Sequence, residues 1–144
     1  TQFEAIDPGL KKNIMLGVNS APFAKFLGLE YEEIKKGYAR MRLPYRPELN
    51  QPAGIIHGGA IASLIDTSVV GVMLEMAGER LKGLVTIDMH VHYLEAAVEE
   101  DLIAHATARR TGKRISFLEV DVVGEKSGKV VSHGELSYML ILRE

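Results

Sequence analysis

The chain contains no cysteine. That excludes disulfides, thiolate metal sites and cysteine nucleophiles, while leaving the redox compartment open. It also lacks an excess of positive charge. Its 17 Lys and Arg against 19 Asp and Glu leave a formal net charge of -2, which argues against a nucleic-acid binder that relies on bulk basicity. No repeat, low-complexity tract or long linker divides the 144 residues, so one domain over residues 1–144 with a single core is expected. The first residues, TQFEAIDPGLKK, lack a basic start followed by an apolar run, and no signal peptide is expected from them. The apolar stretch Ala60–Leu74 is shorter than a membrane span and carries Asp66 at its middle. The default expectation is therefore a cytoplasmic protein that binds neither membrane nor nucleic acid.

What remains is an ordinary globular composition, 47% hydrophobic and 25% charged. The apolar spacing of Ile6, Leu10, Ile14, Met15, Phe23, Phe26 and Leu27 predicts one or two short helices at the start. LEYEEIKKGYARMRLP reads as two strands around a Lys36-Gly37 turn, with the second ending at Pro44. A loop over Tyr45–Ile56 leads into a helix from Gly58 or Gly59 to about Ala77, stopped by Gly78. The rest reads as strands. Val85, Ile87, Met89, Val91 and Tyr93 share a face of the first, and turns at Thr111–Lys113 and Glu125–Gly128 separate those that follow. Short turns imply an antiparallel meander. A helix apolar on all sides must be covered on all sides, so the expected fold is α+β. About five or six antiparallel strands wrap one long central helix, and a second copy of the chain completes the cover.

Asp66 interrupts that helix. A buried aspartate costs several kcal/mol in a typical protein unless it is paired, for instance with an arginine from a neighbouring strand, or retained for function. His57-Gly58-Gly59 opens the same helix. Glycines there leave backbone N–H groups bare at the positive end of the helix dipole, which suits a carbonyl oxygen becoming an oxyanion; they also serve a mere tight turn. Gln51 offers a side-chain amide six residues earlier. Asp66 lies roughly 11 Å along the helix from the glycines, too far for both to act on one bond within one chain. Asp66 of one chain meeting the glycines of another removes the difficulty.

The run Gln51-Pro-Ala-Gly-Ile-Ile-His57-Gly58-Gly59, with Asp66 nine residues after the histidine, resembles the hotdog-fold acyl-CoA thioesterases of the PaaI-like group. Val85–Ala97, Ala108–Arg114 and Gly128–Met139 fall where that family has strands and hairpins. The resemblance implies hydrolysis of acyl-S-CoA, with CoA part of the substrate and no cofactor or metal. Asp66 from the partner subunit would be general base or nucleophile. The Gly58 N–H would hold the carbonyl oxygen, beside Gln51, or beside Asn50 if the loop alignment slides by one. His57 would organise the loop, and Thr86 would orient the acid or the water. Gly59, Val69, Val70 and Met73 would border the acyl group, and the basic turn of Arg109, Arg110, Lys113 and Arg114 would lie near the CoA phosphates. The family association implies homodimers, paired into a homotetramer. A hydratase or dehydratase on acyl thioesters, or a non-catalytic acyl-CoA binder, are the other readings of the same fold. His90 and His92, two apart on one strand face, have a spacing that can hold a metal, although a polar strand face at a subunit contact is the simpler account.

Overall fold

The computed structural model describes residues 2–144. Two short helices lead, α1 (Pro8–Asn19) and α2 (Pro22–Leu27). Asp7 caps α1 by accepting the Leu10 N–H at 3.0 Å, and Gly28, at a φ of 80°, ends α2. Their buried residues are Ile14, Val18, Ala24 and Leu27; Leu10, Phe23 and Phe26, expected on the same apolar face, are exposed. Strands β1 (Glu30–Lys35) and β2 (Tyr38–Leu43) form the expected hairpin. Ala39, Met41 and Leu43 of β2 are fully buried, while the residues between them stay partly open.

The sheet has six antiparallel strands in the order β1-β2-β4-β5-β6-β3, with β3 over Leu81–Tyr93, β4 over Leu102–Thr111, β5 over Ile115–Gly124 and β6 over Val130–Leu142. The expected plain meander holds for β4 to β6 only. The central helix carries the chain across the concave face, so that β3 joins the far side of β6 and forms an edge. In β3, a bulge between Thr86 and Asp88 breaks the two-residue period. Val85 and Ile87 are consequently exposed, whereas Met89 and Val91 pack on the core.

The helix itself comprises α3 (Gly58–Ser68) and α4 (Val70–Ala77), followed by a 3-10 turn, Gly78–Arg80. One uninterrupted helix was expected to Ala77; the break at Val69 has a visible cause. The Tyr31 hydroxyl accepts the Gly71 N–H at 2.7 Å and shares its proton between the carbonyls of Ser68 (2.5 Å) and Thr67 (3.1 Å). A side chain inserted into the ladder in this way bends a helix. A Cβ on Gly71 would stand 2.8 Å from the Tyr31 ring, so only glycine admits the hydroxyl. On the opposite side α3 lies directly on the sheet, where a Cβ on Gly134 of β6 would meet Ile65 Cγ2 at 2.6 Å. Ile61, Leu64, Ile65, Val69, Val72 and Met73 fill the core, while Ala62, Ser63, Asp66, Thr67 and Val70 are only partly covered. By length and composition this helix is apolar enough to cross a bilayer, but the core it fills accounts for that character.

On the opposite surface of the sheet, Arg42 ties three acids together. Its Nε lies 2.7 Å from Glu32, and its Nη1 lies 2.9 Å from Asp101 and 2.7 Å from Glu125. Asp101 also accepts the Tyr45 N–H at 2.7 Å, which anchors the start of the loop leading to the helix.

Candidate active site

Two polar stations lie along the edge strand β3. The first is at the start of α3. His57 is its N-cap, with Nδ1 accepting the Gly59 N–H at 2.7 Å. That bond occupies Gly59 and holds the His57 ring as a cap, which takes Nδ1 out of play as a base. The Gly58 N–H, by contrast, has no partner among the described residues. Tyr93, at the end of β3, donates its hydroxyl proton to the Gly58 carbonyl at 2.8 Å. A Cβ on residue 58 would come within 3.1 Å of the Tyr93 ring, so glycine lets β3 and the helix start close on each other.

The loop before the helix is pinned by the Gln51 N–H to the Ile55 carbonyl (2.8 Å) and the His57 N–H to the Leu49 carbonyl (2.8 Å). The Gln51 side-chain oxygen accepts the Ala53 N–H, leaving its Nε2 donor without a partner among the described residues. Gln51 and Gly58 border a cleft of about 340 Å³ walled by Ile55, Ile56, Ile61, Tyr93 and Leu94. Asn50 points elsewhere, its Nδ2 donating to the Tyr45 hydroxyl at 2.9 Å, so Gln51 is the loop amide that borders this cleft.

The second station is Asp66. It is not the enclosed charge that the apolar pattern suggests, but half-buried on the open side of the helix. No cation pairs with it among the described residues. Its Oδ1 accepts two hydroxyl protons, from Thr86 of β3 and from Tyr138 of β6, each at 2.8 Å, and the Tyr138 hydroxyl also lies 2.9 Å from the Asp66 carbonyl. Burial pushes the Tyr138 phenol well above its ordinary range; the Thr86 hydroxyl opposes this and the Asp66 charge reinforces it. Tyr138 therefore stays protonated at neutral pH and acts as a donor. Both donors converge on Oδ1, and Oδ2 has no hydrogen-bond partner among the described residues. The geometry holds a carboxylate by one oxygen and leaves the other free.

The remaining expected residues divide. Val70 is partly open, whereas Val69 and Met73 are fully buried in the core. Arg109, Arg110, Lys113 and Arg114 are all exposed, and Arg109 and Arg110 line one groove while Lys113 lines another. Arg109 sits at a bulge in β4, 3.4 Å from Glu119 on the outer face of the sheet. Arg110 borders a groove with Lys36 and Glu75. Lys113 shares a cleft of about 430 Å³ with Arg80 and Ser116. Sequence reasoning missed Tyr138 and Tyr93 as site residues. The available signal was an inward-facing tyrosine in SHGELSYM, since a buried phenol ordinarily needs a partner.

The thioesterase superfamily profile matches residues 53–131, more than half of the chain. The chain belongs to this superfamily. A relative from Halobacterium salinarum is 36% identical over 102 residues, covering 68% of this chain and 67% of its own. The medium/long-chain acyl-CoA thioesterase YigI of Escherichia coli is 29% identical over 125 residues, covering 77% of this chain and 81% of YigI. Among solved structures, the Escherichia coli PaaI protein, from an operon for phenylacetic acid degradation, superposes with a TM-score of 0.79 at 21% identity, over 90% of this chain and 91% of that one. The sheet-wrapped helix is thus the hotdog fold, as the sequence resemblance implied.

Proposed function

We propose that the protein hydrolyses acyl-CoA thioesters to the free acid and CoA at a site shared between two chains. The observation that carries this reading is the pair of stations on β3, a carboxylate with one free oxygen at Thr86 and an unpartnered N–H at Tyr93. Strand β3 has 13 residues, pairs only with β6 among the described residues, and exposes Val85 and Ile87. So long an open edge calls for a partner strand. Two β3 strands paired antiparallel about a two-fold between Met89 and His90 bring Thr86 of one chain opposite the partner's Tyr93. Asp66 of one chain then faces the Gly58 N–H of the other, and each dimer has two sites. Such dimers pair further into tetramers, in the cytoplasm.

In this scheme Asp66 Oδ2 takes a proton from water while the water oxygen bonds to the thioester carbonyl carbon. The negative charge moves to the carbonyl oxygen, which accepts the Gly58 N–H at the helix N-terminus, with Gln51 Nε2 beside it. Collapse of the tetrahedral species breaks the C–S bond, and the proton held by Asp66 passes to the departing CoA sulfur. Direct attack by Asp66 on the carbonyl carbon, through a mixed anhydride later opened by water, uses the same geometry. No metal or other cofactor enters either route. The cleft beside Gly58 is walled mainly by aliphatic side chains, which suits an aryl or medium-chain acyl group, and Lys113 with Arg80 matches the phosphates of CoA. A hydratase needs a histidine working with the acid. His57 is used as a cap and no histidine among the described residues bonds to Asp66, which favours hydrolysis.

Mixing two inactive variants tests the shared site. Asp66→Asn and Gly58→Val each abolish thiol release from acyl-CoA. After unfolding and refolding together in equal amounts they recover roughly a quarter of wild-type activity, because half of the dimers are mixed and each of those has one intact site. Failure of Asp66→Asn to reduce turnover sinks the assignment of the base; absence of any recovery sinks the shared site.

A further inference from the structure

On the outer face of the sheet, away from both stations, lies a cross-strand array of histidines and carboxylates that the hydrolytic scheme does not use. The register sets Asp121 of β5 opposite His133 of β6, and His133 opposite His92 of β3. One row along, Glu119, Glu135 and His90 stand opposite one another in the same order. The sequence alone offered only His90 and His92, two apart on one strand; strand pairing brings further candidates beside them.

We infer that Glu119, His133 and Glu135 form a binding site for a borderline divalent transition-metal ion, of which Zn²⁺ is the best fit. Three observations support it. The ligand atoms of these three residues all lie within 4.8 Å of one another. Bonds of about 2.0–2.1 Å to a tetrahedral zinc set ligand atoms about 3.3 Å apart, so no pair of these atoms needs to close by more than about 1.5 Å. Next, Asp121 Oδ1 lies 2.8 Å from His133 Nδ1 and accepts its proton. That contact fixes the tautomer whose Nε2 lone pair is free, and Nε2 is the atom facing Glu135, 3.7 Å away. A carboxylate holding a histidine by the far ring nitrogen is the arrangement by which proteins orient a zinc-ligating imidazole. Finally, Glu119 and Glu135 border one cleft of about 220 Å³ together with His90, which leaves room beside the three ligands for a water. Mixed imidazole and carboxylate donors suit zinc better than magnesium or calcium. Arg109 competes, with its Nε 3.4 Å from Glu119. Because the ion would join β5 to β6 on the face opposite the helix, its role is to brace the sheet or a contact made by that face.

Isothermal titration of the metal-free full chain with ZnCl₂ tests this, with the histidine ring nitrogens followed by NMR. The expected result is one saturable zinc per chain with a shift at His133 Nε2. His133→Gln and Glu135→Gln should abolish binding. Asp121→Asn should weaken it by about 10- to 100-fold, as loss of an orienting partner does. Arg109→Gln should tighten it, because Glu119 is then released. Zinc binding that is not saturable, or that is unaffected by His133→Gln, overturns the site. A perturbation confined to His57 or His105 does the same.

Discussion

Replacing Thr86 by valine removes one of the two hydroxyl protons that hold Asp66 Oδ1 while keeping the side chain's shape. The contact is 2.8 Å long and its acceptor is a carboxylate. A hydrogen bond of that kind contributes about 1.5–3 kcal/mol net. If the bond's purpose is to aim Oδ2 at the attacking water, its loss appears in the barrier, as a roughly 10- to 150-fold fall in kcat. The Michaelis constant should change little, because Thr86 touches the carboxylate and not the apolar cleft proposed to receive the acyl group. Folding stability should fall by no more than the same amount, and towards its lower end, because the bond is already formed in the folded chain and Thr86 is open to water. Thr86→Ser restores the hydroxyl and should restore most of the rate, and Tyr138→Phe should reproduce the defect from the other side. The assay is steady-state thiol release with kcat and KM separated, alongside chemical denaturation of each variant. Wild-type kcat in both Thr86→Val and Tyr138→Phe, with Asp66→Asn inactive, would falsify the claim that these hydroxyls aim the carboxylate.

Three further outcomes follow from other contacts. Tyr31→Phe should lower stability by about 1–3 kcal/mol in a urea titration, since it strips the buried Gly71 N–H and the Ser68 carbonyl of their bridge; an unchanged midpoint would mean that the helix closes its own ladder without cost. His57→Ala should cost about 1 kcal/mol of stability through the lost cap and lower kcat while leaving the shape of the pH–rate profile intact, whereas loss of a limb of that profile would make His57 a base. The pH dependence of stability should flatten in Arg42→Met. In Glu32, burial pushes the pKa up but the hydrogen bonds and charge of Arg42 and Arg40 outweigh it; in Asp101 the Tyr45 N–H lowers it first, burial opposes, and Arg42 adds to the lowering. Both carboxyls thus sit below their unfolded values near about 4, so they stabilise the fold above that pH, and the contribution fades as the pH falls through their folded values. Thermal unfolding followed between about pH 5 and pH 3 measures the slope, which arginine removal should reduce.

Elements with a strong local period were legible in the sequence. The alternation in Tyr38–Leu43 and the turn residues of the later hairpins specified their strands, because each follows from side chains that are neighbours in the chain. The place of β3 did not follow, because it depends on how far a helix carries the chain across a sheet that is itself built from later residues. The bulge at Ile87 and the break at Val69 were hidden for a related reason. Each is imposed by a partner distant in the chain, β6 in one case and Tyr31 in the other.

The same distinction separates the parts of the site. His57, Gly58 and Asp66 were readable because one helix and its cap carry them at a characteristic spacing. Tyr138 was not, since it lies 72 residues from Asp66 and meets it only after the chain has passed through β4 and β5 and returned to pair β6 with β3. The pattern of burial in the helix explains why the acid looked more enclosed than it is. An apolar sequence on every side announces that every side will be covered, but not which cover comes from the same chain. The half-open strip of Ala62, Ser63, Asp66, Thr67 and Val70 lies on the side of the helix that reaches Thr86 of β3, and among the described residues β3 is an edge strand that pairs only with β6. An excess of apolar surface on the helix and a missing neighbour on the sheet are therefore two signs of one requirement. In the proposed dimer, a second β3 laid against the first would meet both, and in doing so would bring the partner's Gly58 towards the free oxygen of Asp66.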